Sequence, residues 1–339
     1  MTTPASAGRL FFFSTISPPF IVEDERILAR HFQVDRLASS GIKAIPGIIR
    51  GVRKSGVTLT WFGSVYAGLI VFLSGLLGRR SIVVVAGVDA SKDPAIDYGI
   101  WLNPWKARFV RYAYRHADRV LAVSPFLASE VRRLAEYDGK NATFIPFGFD
   151  GDEWRPGGAP KKLVTTVASC ENESRMKKKG LDKLFEAARA MPDVPFRVIG
   201  MTRELLAAIR SSVPGNVEII PYIPRSEILP YLQESKVYTQ PSFTEGLPNA
   251  LCEAMLCGCV PVGTVAGGIP TAIGDAGFLV PYGDVPALIR ALQQALDAPE
   301  EARHRARAHI LTEFPVSRRE RELVAVVDEL LHAGGGKGS

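Results

Sequence analysis

The sequence predicts an α/β protein with two domains, each built around a parallel, doubly wound sheet. At 339 residues the chain is too long for one ordinary hydrophobic core. Continuous apolar runs, such as residues 9–16 and 81–86, are typical of parallel strands that are buried on both faces. These runs alternate with helical segments, which indicates doubly wound sheets. A hydrophobic content of 47% with 22% charged residues is typical of a globular protein.

In the first half of the chain, strands are predicted at residues 9–16, 34–37, 57–61, 81–86, 118–124 and 142–147. Helices are predicted at residues 23–32, 66–77 and 125–136, and after Pro104. The apolar segment 66–77, of roughly twelve residues, is too short to cross a bilayer, which needs about 20. We therefore expect a buried helix that connects two strands.

In the second half, strands are predicted at residues 163–168, 195–200, 217–220, 237–240 and 259–262. Helices are predicted at residues 181–191, 226–234, 249–256, 286–296, 301–314 and 316–331. A cluster of helix breakers indicates a domain boundary between the halves: Pro156, Gly157, Gly158 and Pro160. The domains are accordingly expected at residues 1–155 and 160–315.

Composition limits the functions that the chain can have. Four cysteines without a CxxC pair and no secretory leader predict a cytoplasmic protein. A net charge of +6 calls for an anionic partner, which could be a lipid surface, a nucleotide or a nucleic acid. Nucleic-acid signatures are absent. The sequence also lacks the motifs of a nicotinamide dehydrogenase, a P-loop enzyme and a serine hydrolase.

Residues 241–270, PSFTEGLPNALCEAMLCGCVPVGTVAGGIP, form the most informative stretch. Glu245 precedes a helix predicted to start near Pro248, Glu253 lies on that helix, and Gly258 is placed to end it. A helix N-terminus attracts phosphate, and from Pro248 to Glu253 the helix advances roughly 7 Å. The two carboxylates can therefore accept hydrogen bonds from hydroxyls on either side of a diphosphate, as in a nucleotide sugar. The alternative is that both glutamates only decorate a helix start.

This stretch resembles the E-x7-E region of the retaining glycosyltransferases of family 4, also called group 1, which have the GT-B fold. The matching residues are Glu245, Gly246, Pro248, Glu253, Ala254, Met255, Gly258, Pro261, Val262, Gly267 and Gly268. The resemblance implies two facing Rossmann-like domains and a C-terminal helix, at about residues 316–333, that crosses back to the first domain. It also implies that the N-terminal domain binds the acceptor and the C-terminal domain binds a nucleotide diphosphate sugar.

The resemblance assigns roles to individual residues. Glu245 would orient the sugar hydroxyls, Glu253 would bind the ribose, and Lys179 would neutralise the leaving diphosphate. The other residues implied at the diphosphate are Gly180, Gly246, Leu247, Pro248, Asn249, Gly267 and Gly268. The family's usual arginine is missing from the basic loop at residues 170–180, where Arg175 is expected to substitute for it. For the lysines at 177–179, the alternative is a solvated charge run.

The N-terminal half departs from the family pattern. Ala86 stands where relatives carry a histidine, and Thr271 stands where they carry a glutamate. Asp89 is either an acceptor-binding group or the cap of a simple turn. Asp150-Gly151-Asp152 mimics a D-x-D metal motif, but its position at the domain boundary argues against a metal site.

The segment from Trp101 to Arg115 interleaves aromatic and basic residues, which predicts a membrane-binding surface separate from the donor site. Such a helix can lie on an anionic membrane surface, and the alternative is an ordinary surface helix with its tryptophans in the core.

The resemblance thus implies a retaining, metal-independent hexosyltransferase without a cofactor, which moves a hexosyl group from a UDP-, GDP- or ADP-sugar to a hydroxyl acceptor. The acceptor would be a glycan, a lipid-linked molecule or a small metabolite. Cell envelope polysaccharide biosynthesis is the expected setting, in the cytoplasm or on the inner face of the cell membrane. The alternatives are a nucleotide-sugar epimerase on the same fold and a non-catalytic nucleotide-sugar-binding scaffold.

Overall fold

The protein consists of two compact units in a computed structural model that describes residues 8–334. The first unit comprises Met1–Gly148 and Val316–Ser339, and the second comprises Phe149–Pro315. Residues 149–155, which the sequence analysis assigned to the first domain, thus belong to the second unit. Most of the glycine-rich end, predicted from its composition to be flexible, lies outside the described residues.

The first unit is built on a six-stranded parallel sheet with the strand order β2-β1-β3-β4-β5-β6. Its central strands are buried on both faces, as their apolar sequences predict; Phe11, Phe12 and Phe13 are at most 1% exposed. The strands are β1 (Arg9–Ser14), β2 (Gln33–Ala38), β3 (Val57–Trp61), β4 (Arg80–Val85), β5 (Arg119–Ala122) and β6 (Ala142–Phe144).

Helices cover both faces of this sheet. They are α1 (Pro19–Ala29), α2 (Ala44–Lys54), α3 (Val65–Leu76), α4 (Pro104–His116), α5 (Pro125–Ala135) and the last helix of the chain, α14 (Val316–Gly334). From β2 onward the chain moves in one direction across the sheet, so right-handed crossovers place α2, α3, α4 and α5 side by side on one face.

The last helix belongs to the first unit, which confirms the predicted return of the chain. It packs against α1, and the two helices are joined by a buried ion pair. Arg319 Nη2 lies 2.6 Å from Asp24 Oδ2, and Arg319 Nη1 donates to the carbonyl oxygens of Ile145 and Pro146. Because the guanidinium is buried, these partners are needed to offset its desolvation.

The second unit has a six-stranded parallel sheet with the order β12-β11-β10-β7-β8-β9. The strands are β7 (Lys161–Cys170), β8 (Phe196–Met201), β9 (Val217–Pro221), β10 (Ser235–Gln240), β11 (Val260–Thr264) and β12 (Phe278–Val280). The chain leaves β7 toward one edge and returns to β10 on the other side, so the strand order reverses between β7 and β10. In open α/β sheets, ligands bind beyond the carboxyl ends of the strands at such a reversal.

The helices of the second unit are α6 (Glu173–Lys178), α7 (Leu181–Ala190), α8 (Arg203–Ile209), α9 (Leu229–Glu234), α10 (Asn249–Leu256), α11 (Ile269–Ile273), α12 (Val285–Asp297) and α13 (Glu300–Glu313). The sequence analysis missed α2, α8, α11 and β12, and it treated as a loop the segment that contains α6. Within residues 8–334, no helix combines the length and the apolarity needed to cross a bilayer.

All four cysteines are free and buried: Cys170, Cys252, Cys257 and Cys259. The positions of Cys257 and Cys259, on either side of Gly258, predict small apolar fillers rather than ligands, which this burial confirms. Gly258, with φ +82°, ends α10 in the left-handed conformation that the sequence predicts.

Candidate active site

A partly buried lysine–glutamate pair lies where the strand order of the second unit reverses. Lys179 follows α6, beyond the carboxyl end of β7, and Glu245 lies in the loop after β10. The two adjacent strands therefore carry these distant residues to one place, and Lys179 Nζ is 2.7 Å from Glu245 Oε1. Their side chains are 19% and 12% exposed, so the pair can be reached from solvent but is largely shielded from it.

Three donors hold the Glu245 carboxylate. Besides Lys179, the Ser242 hydroxyl (2.9 Å) and the Gln240 side-chain amide (3.2 Å) donate to Oε1. Tyr238 OH donates to Oε1 of the same Gln240 amide (3.2 Å). All three bonds to Glu245 converge on its Oε1. Within the described part of the chain, the second oxygen, Oε2, is thus the one available to a ligand.

Charge keeps this carboxylate ionised. Burial raises the pKa of Glu245, but Lys179, Lys178 and the Ser242 hydrogen bond together hold that pKa below its usual value. Burial lowers the pKa of Lys178 to about 8, although the Glu245 charge opposes the change. Two lysines thus face one carboxylate, and the site carries more positive than negative charge while both lysines are protonated.

Glycines let the surrounding backbone close on Glu245. At Gly267, with φ +60°, an added Cβ would lie 2.3 Å from the Glu245 carbonyl oxygen. At Gly180, with φ +67°, it would lie 1.9 Å from the carbonyl oxygen of Pro241. The Gly268 N–H donates to the Glu245 carbonyl oxygen (2.9 Å). That N–H is therefore not free for a phosphate, and the contact of Gly267 and Gly268 with the diphosphate stays a prediction.

The start of α10 lies directly after this loop. Pro248 is the residue before the first helical residue, Asn249, and no side chain caps the end. The first N–H groups of a helix lack intrahelical partners. Leu247 is 4% exposed and Gly246 is buried. The buried Asn249 Oδ1 has no hydrogen-bond partner within the described residues.

The second predicted carboxylate, Glu253, is held by an arginine that the sequence analysis did not identify. Arg225 Nε lies 2.8 Å from Glu253 Oε1, and Arg225 Nη1 lies 2.6 Å from Glu153 Oε1. The guanidinium also lies over the Trp154 ring, 4.7 Å from its centroid. Burial raises the pKa of the Glu253 carboxyl, and Arg225 offsets only part of that rise.

The charges of both carboxylates, Glu245 and Glu253, influence the pKa of one buried side chain, Tyr238. Burial raises the pKa of the Tyr238 hydroxyl, and the charges of Glu245 and Glu253 raise it further. Tyr238 lies on β10, which leads into the loop that carries Glu245. Both glutamates are therefore close enough to the end of this strand to act on the same hydroxyl.

Arg175 lies at the edge of this cluster. It is on α6, its side chain is 39% exposed, and its Nε lies 3.3 Å from Glu171 Oε1. Its charge contributes to the lowered pKa of Lys178, so it is near the lysines. No hydrogen bond within residues 8–334 links its guanidinium to Glu245.

Asp89 has a structural position in the first unit. Its side chain is fully buried, and its carboxylate accepts hydrogen bonds from the N–H groups of Gly63, Ala86 and Gly87 and from Tyr114 OH. The Asp89 oxygens are therefore engaged and closed off from solvent, and this geometry gives no support to the predicted binding role. The turn-forming alternative agrees with this geometry.

The predicted surface from Trp101 to Arg115 is partly wrong. Trp101 is buried and its Nε1 donates to the Asp89 carbonyl oxygen (2.7 Å). Arg111 pairs with Glu136, and Arg115 donates to the carbonyl oxygens of Ala135 and Glu136. Trp105, in contrast, is 58% exposed.

Asp150 closes a turn, because its Oδ1 accepts the N–H groups of Asp152 (2.8 Å) and Glu153 (3.3 Å). Across residues 8–334, no group of three or more His, Cys, Asp or Glu side chains is placed to share a metal ion.

Family models match both units of the chain. Residues 162–298 match the model described as Glycosyl transferases group 1, and residues 15–153 match the Glycosyltransferase Family 4 model. The chain belongs to the group 1 glycosyltransferases. Its two parallel α/β sheets are those of the GT-B fold, as predicted.

A similar protein of known name agrees with this family assignment. The chain is 29% identical over 277 residues to WcaL of Escherichia coli (strain K12), named as a colanic acid biosynthesis glycosyltransferase. The match covers 76% of this chain and 66% of the relative, so the chain spans just under two thirds of that protein's length.

Solved structures of similar fold include a sucrose-phosphate synthase from Thermosynechococcus elongatus, with a TM-score of 0.78 and 14% identity over 97% of this chain and 100% of that chain. Another is Anabaena HepE in complex with UDP-glucose, with a TM-score of 0.75 and 14% identity over 96% and 100% of the two chains.

Proposed function

We propose that the protein is a retaining glycosyltransferase that moves a hexosyl group from a nucleotide diphosphate sugar to a hydroxyl acceptor. The observation that carries the proposal is the Lys179–Glu245 pair at the reversal of strand order in the second unit. A cation and an ionised carboxylate side by side match the two halves of such a donor, because the diphosphate is anionic and the sugar hydroxyls donate hydrogen bonds.

In this proposal, Glu245 Oε2 accepts hydrogen bonds from the sugar hydroxyls, while Oε1 remains held by the protein. Lys179 exchanges part of its contact with Glu245 for the diphosphate. Lys178 and the N–H groups at the start of α10 add positive potential around the phosphates. Glu253 binds the ribose hydroxyls.

The chemical step follows from the donor itself. The bond between the anomeric carbon and the diphosphate oxygen breaks, and the diphosphate keeps the electron pair. The acceptor oxygen bonds to the same face of the anomeric carbon, and its proton passes to the leaving phosphate oxygen. The protein then needs no separate base, and Lys179 stabilises the negative charge that develops on the diphosphate. The proposed reaction uses no metal ion, because the lysines supply the positive charge.

Relatives suggest the setting of this reaction. WcaL is named for colanic acid biosynthesis, and HepE was solved with UDP-glucose. We therefore propose cell envelope polysaccharide biosynthesis from a UDP-, GDP- or ADP-sugar, with the N-terminal unit binding the acceptor.

Calorimetric titration with a panel of UDP-, GDP- and ADP-sugars tests the donor site. The wild type is compared with Lys179→Ala and Glu253→Ala, and with Lys183→Ala as a matched control on α7, where the lysine pairs with Glu186. We expect one donor to bind selectively, both site variants to weaken it, and the control to bind normally. A folded protein that binds no donor would overturn the site assignment.

Transfer assays with the selected donor then separate the alternatives. The anomeric configuration of the product, read by NMR, must match that of the donor if the reaction is retaining. Product formed without an acceptor would indicate an epimerase, and donor binding without turnover would indicate a scaffold.

A further inference from the structure

Three adjacent helices of the first unit expose an unusual amount of apolar side chain. The helices α2, α3 and α4 lie side by side on one face of the sheet. Of the fourteen large hydrophobic residues exposed within the described chain, eight lie on these helices or next to their ends: Ile42, Ile45, Ile49, Phe72, Leu76, Leu77, Trp105 and Tyr112. We call the outer face of these three helices the α2–α4 surface.

The same helices carry the positive charge of the protein. The α2, α3 and α4 segments contain seven Lys and Arg residues and no Asp or Glu. The whole chain has 41 basic and 35 acidic residues, so the remainder, with 34 and 35, is close to neutral. The net charge of +6 is therefore concentrated on the α2–α4 surface.

A groove between α3 and α4 shows how the apolar and basic groups are combined. It has a volume of about 460 Å³, and its lining includes Phe72, Trp105, Arg108 and Tyr112. The Phe72 and Tyr112 rings lie 6.4 Å apart. The helices can approach closely because one of them carries Gly68, where an added Cβ would lie 3.0 Å from Phe109. The groove is thus an apolar floor with a guanidinium at its side.

Acidic groups near this surface are few. Asp97 lines a small polar pocket together with Lys106, and Glu136 pairs with Arg111. Within residues 8–334, neither Arg108 nor Lys106 forms an ion pair. The helix α3 connects β3 and β4 and buries one face, as predicted. Its outer face is nevertheless apolar and exposed, since Phe72, Leu76 and Leu77 are 52%, 71% and 39% exposed.

We propose that the α2–α4 surface binds the interface of an anionic phospholipid bilayer. Aromatic and aliphatic side chains would enter the boundary between headgroups and acyl chains, and the bases would contact lipid phosphates. Charge complementarity favours a lipid surface over an ordinary protein partner, because the three helices carry seven bases and no acid, and among these bases only Arg111 forms an ion pair within residues 8–334. This proposal does not depend on the transferase reaction. It extends the predicted surface from Trp101 to Arg115 to α2 and α3, and leaves out the buried Trp101.

Trp105 provides a direct reporter for the test. It is 58% exposed, whereas Trp61, Trp101 and Trp154 are at most 4% exposed. We expect the fluorescence of the wild type to shift to shorter wavelength on vesicles of phosphatidylcholine with phosphatidylglycerol, and to change little on phosphatidylcholine alone. Trp105→Phe should bind the anionic vesicles but lose the shift. An unchanged spectrum on vesicles that do bind the wild type would overturn the proposed orientation.

Variants distinguish membrane binding through the α2–α4 surface from non-specific binding to vesicles. Phe72→Ser with Trp105→Ser, and separately Arg108→Glu, should each weaken vesicle binding in a sedimentation assay by about tenfold or more. The matched controls in the second unit are Leu279→Ser and Arg305→Glu, which should bind as the wild type does; circular dichroism checks that all variants fold. Equal binding by all five proteins would overturn the proposal. So would loss of a dimer, rather than of vesicle binding, in the surface variants, because the surface would then bind a second copy of the chain.

Discussion

Glu245, which is partly buried, and Glu253, which is buried, lie eight residues apart in the second unit and have opposite electrostatic surroundings. Glu245 faces two lysines and accepts a hydroxyl hydrogen bond, and the pKa of its carboxyl lies below the usual value. Glu253 faces one arginine, which Glu153 shares, and the pKa of its carboxyl lies above the usual value because burial outweighs the pairing. Burial alone therefore does not set the charge of a carboxylate; the number of cations committed to it does.

This difference suits two different tasks. An ionised Glu245 offers a constant negative charge and a strong acceptor for sugar hydroxyls. The raised pKa of Glu253 brings its carboxyl closer to protonation, and Arg225 opposes that rise. The ability of Glu253 to accept hydrogen bonds from a ribose should therefore respond to pH. Substitutions that exchange or remove the cations can test this contrast.

Lys179→Ala should have the largest effect. It removes the cation nearest to Glu245 and the proposed contact with the diphosphate, and we expect kcat to fall by about 100- to 1,000-fold. Steady-state transfer assays with the selected donor measure the change. Lys183→Ala is the control, and a loss of less than about tenfold would show that Lys179 does not stabilise the transition state.

Gly267→Ala should displace the loop that carries Glu245, because the added methyl group would collide with the Glu245 backbone. The new Cβ would lie 2.3 Å from the Glu245 carbonyl oxygen, so the loop must move, and we expect activity to fall by about 100-fold. Gly283→Ala is a matched control, because Gly283 also has a positive φ (+84°) but nothing within 4 Å of an added Cβ. If both variants lose the same activity, backbone strain rather than displacement of Glu245 is the cause.

Arg225→Gln should change the charge of Glu253, because it removes the cation paired with that carboxylate. Without the guanidinium the pKa of Glu253 rises further, so we expect donor binding about tenfold weaker at neutral pH, and weaker still as the pH falls and the carboxyl gains its proton. Calorimetric titrations across the acid to neutral range measure this. Glu153→Gln keeps the Arg225–Glu253 contact and should retain more of the wild-type profile. A pH profile of Arg225→Gln identical to that of the wild type would show that Arg225 does not control Glu253.

The pH dependence of stability should show the contrast without any ligand. Because the folded-state pKa of Glu245 lies below its unfolded value, its ionisation stabilises the fold above about pH 4.3, and this contribution is lost as the pH falls through the folded-state pKa. The folded-state pKa of Glu253 lies above its unfolded value, so its ionisation costs stability as the pH rises through that value. Glu245→Gln and Glu253→Gln should therefore change the slope of the free energy of unfolding against pH in opposite directions. Each change should be at most about 1.4 kcal/mol per pH unit, the value for one proton. Urea unfolding at several pH values measures the slopes, and slopes of the same sign would contradict the assigned surroundings.

Arg175→Ala should have the smallest effect. Its side chain is partly exposed and pairs with Glu171, so we expect less than a threefold change in transfer rate, as for most surface ion pairs. A loss as large as that of Lys179→Ala would instead place Arg175 at the diphosphate.

Local signals predicted much of the site. The helix from Asn249 to Leu256 and its end at Gly258 follow from short-range patterns of helix formers and breakers. The roles of Lys179 and Glu245 were implied by the family resemblance and remain predictions, although the structure brings the two side chains together. Local composition also predicted β3 with its observed bounds, because Val57–Trp61 consists mainly of β-branched and aromatic residues, which favour strands.

Long-range contacts explain what the sequence did not reveal. Arg225 is 28 residues from Glu253 and 72 from Glu153, and no spacing rule connects them. The helix α6 is short and polar, so it lacks the apolar periodicity that predicts a helix. Asp89 looked accessible because a loop aspartate usually is, and only the fold shows that four donors enclose it. The apolar sequence of α3 predicted burial, although one side of it is exposed.

The four buried thiols have a practical consequence for labelling. Burial raises the pKa of every one of them, to about 11 for Cys170 and about 12 for Cys257, so thiolate is scarce and shielded in the folded state. A cysteine introduced at an exposed position would be the one that reacts with a maleimide dye, without prior removal of the native four. The native thiols would react only after unfolding, and Cys252, Cys257 and Cys259 would then act as a chemical clock for the opening of α10 and β11.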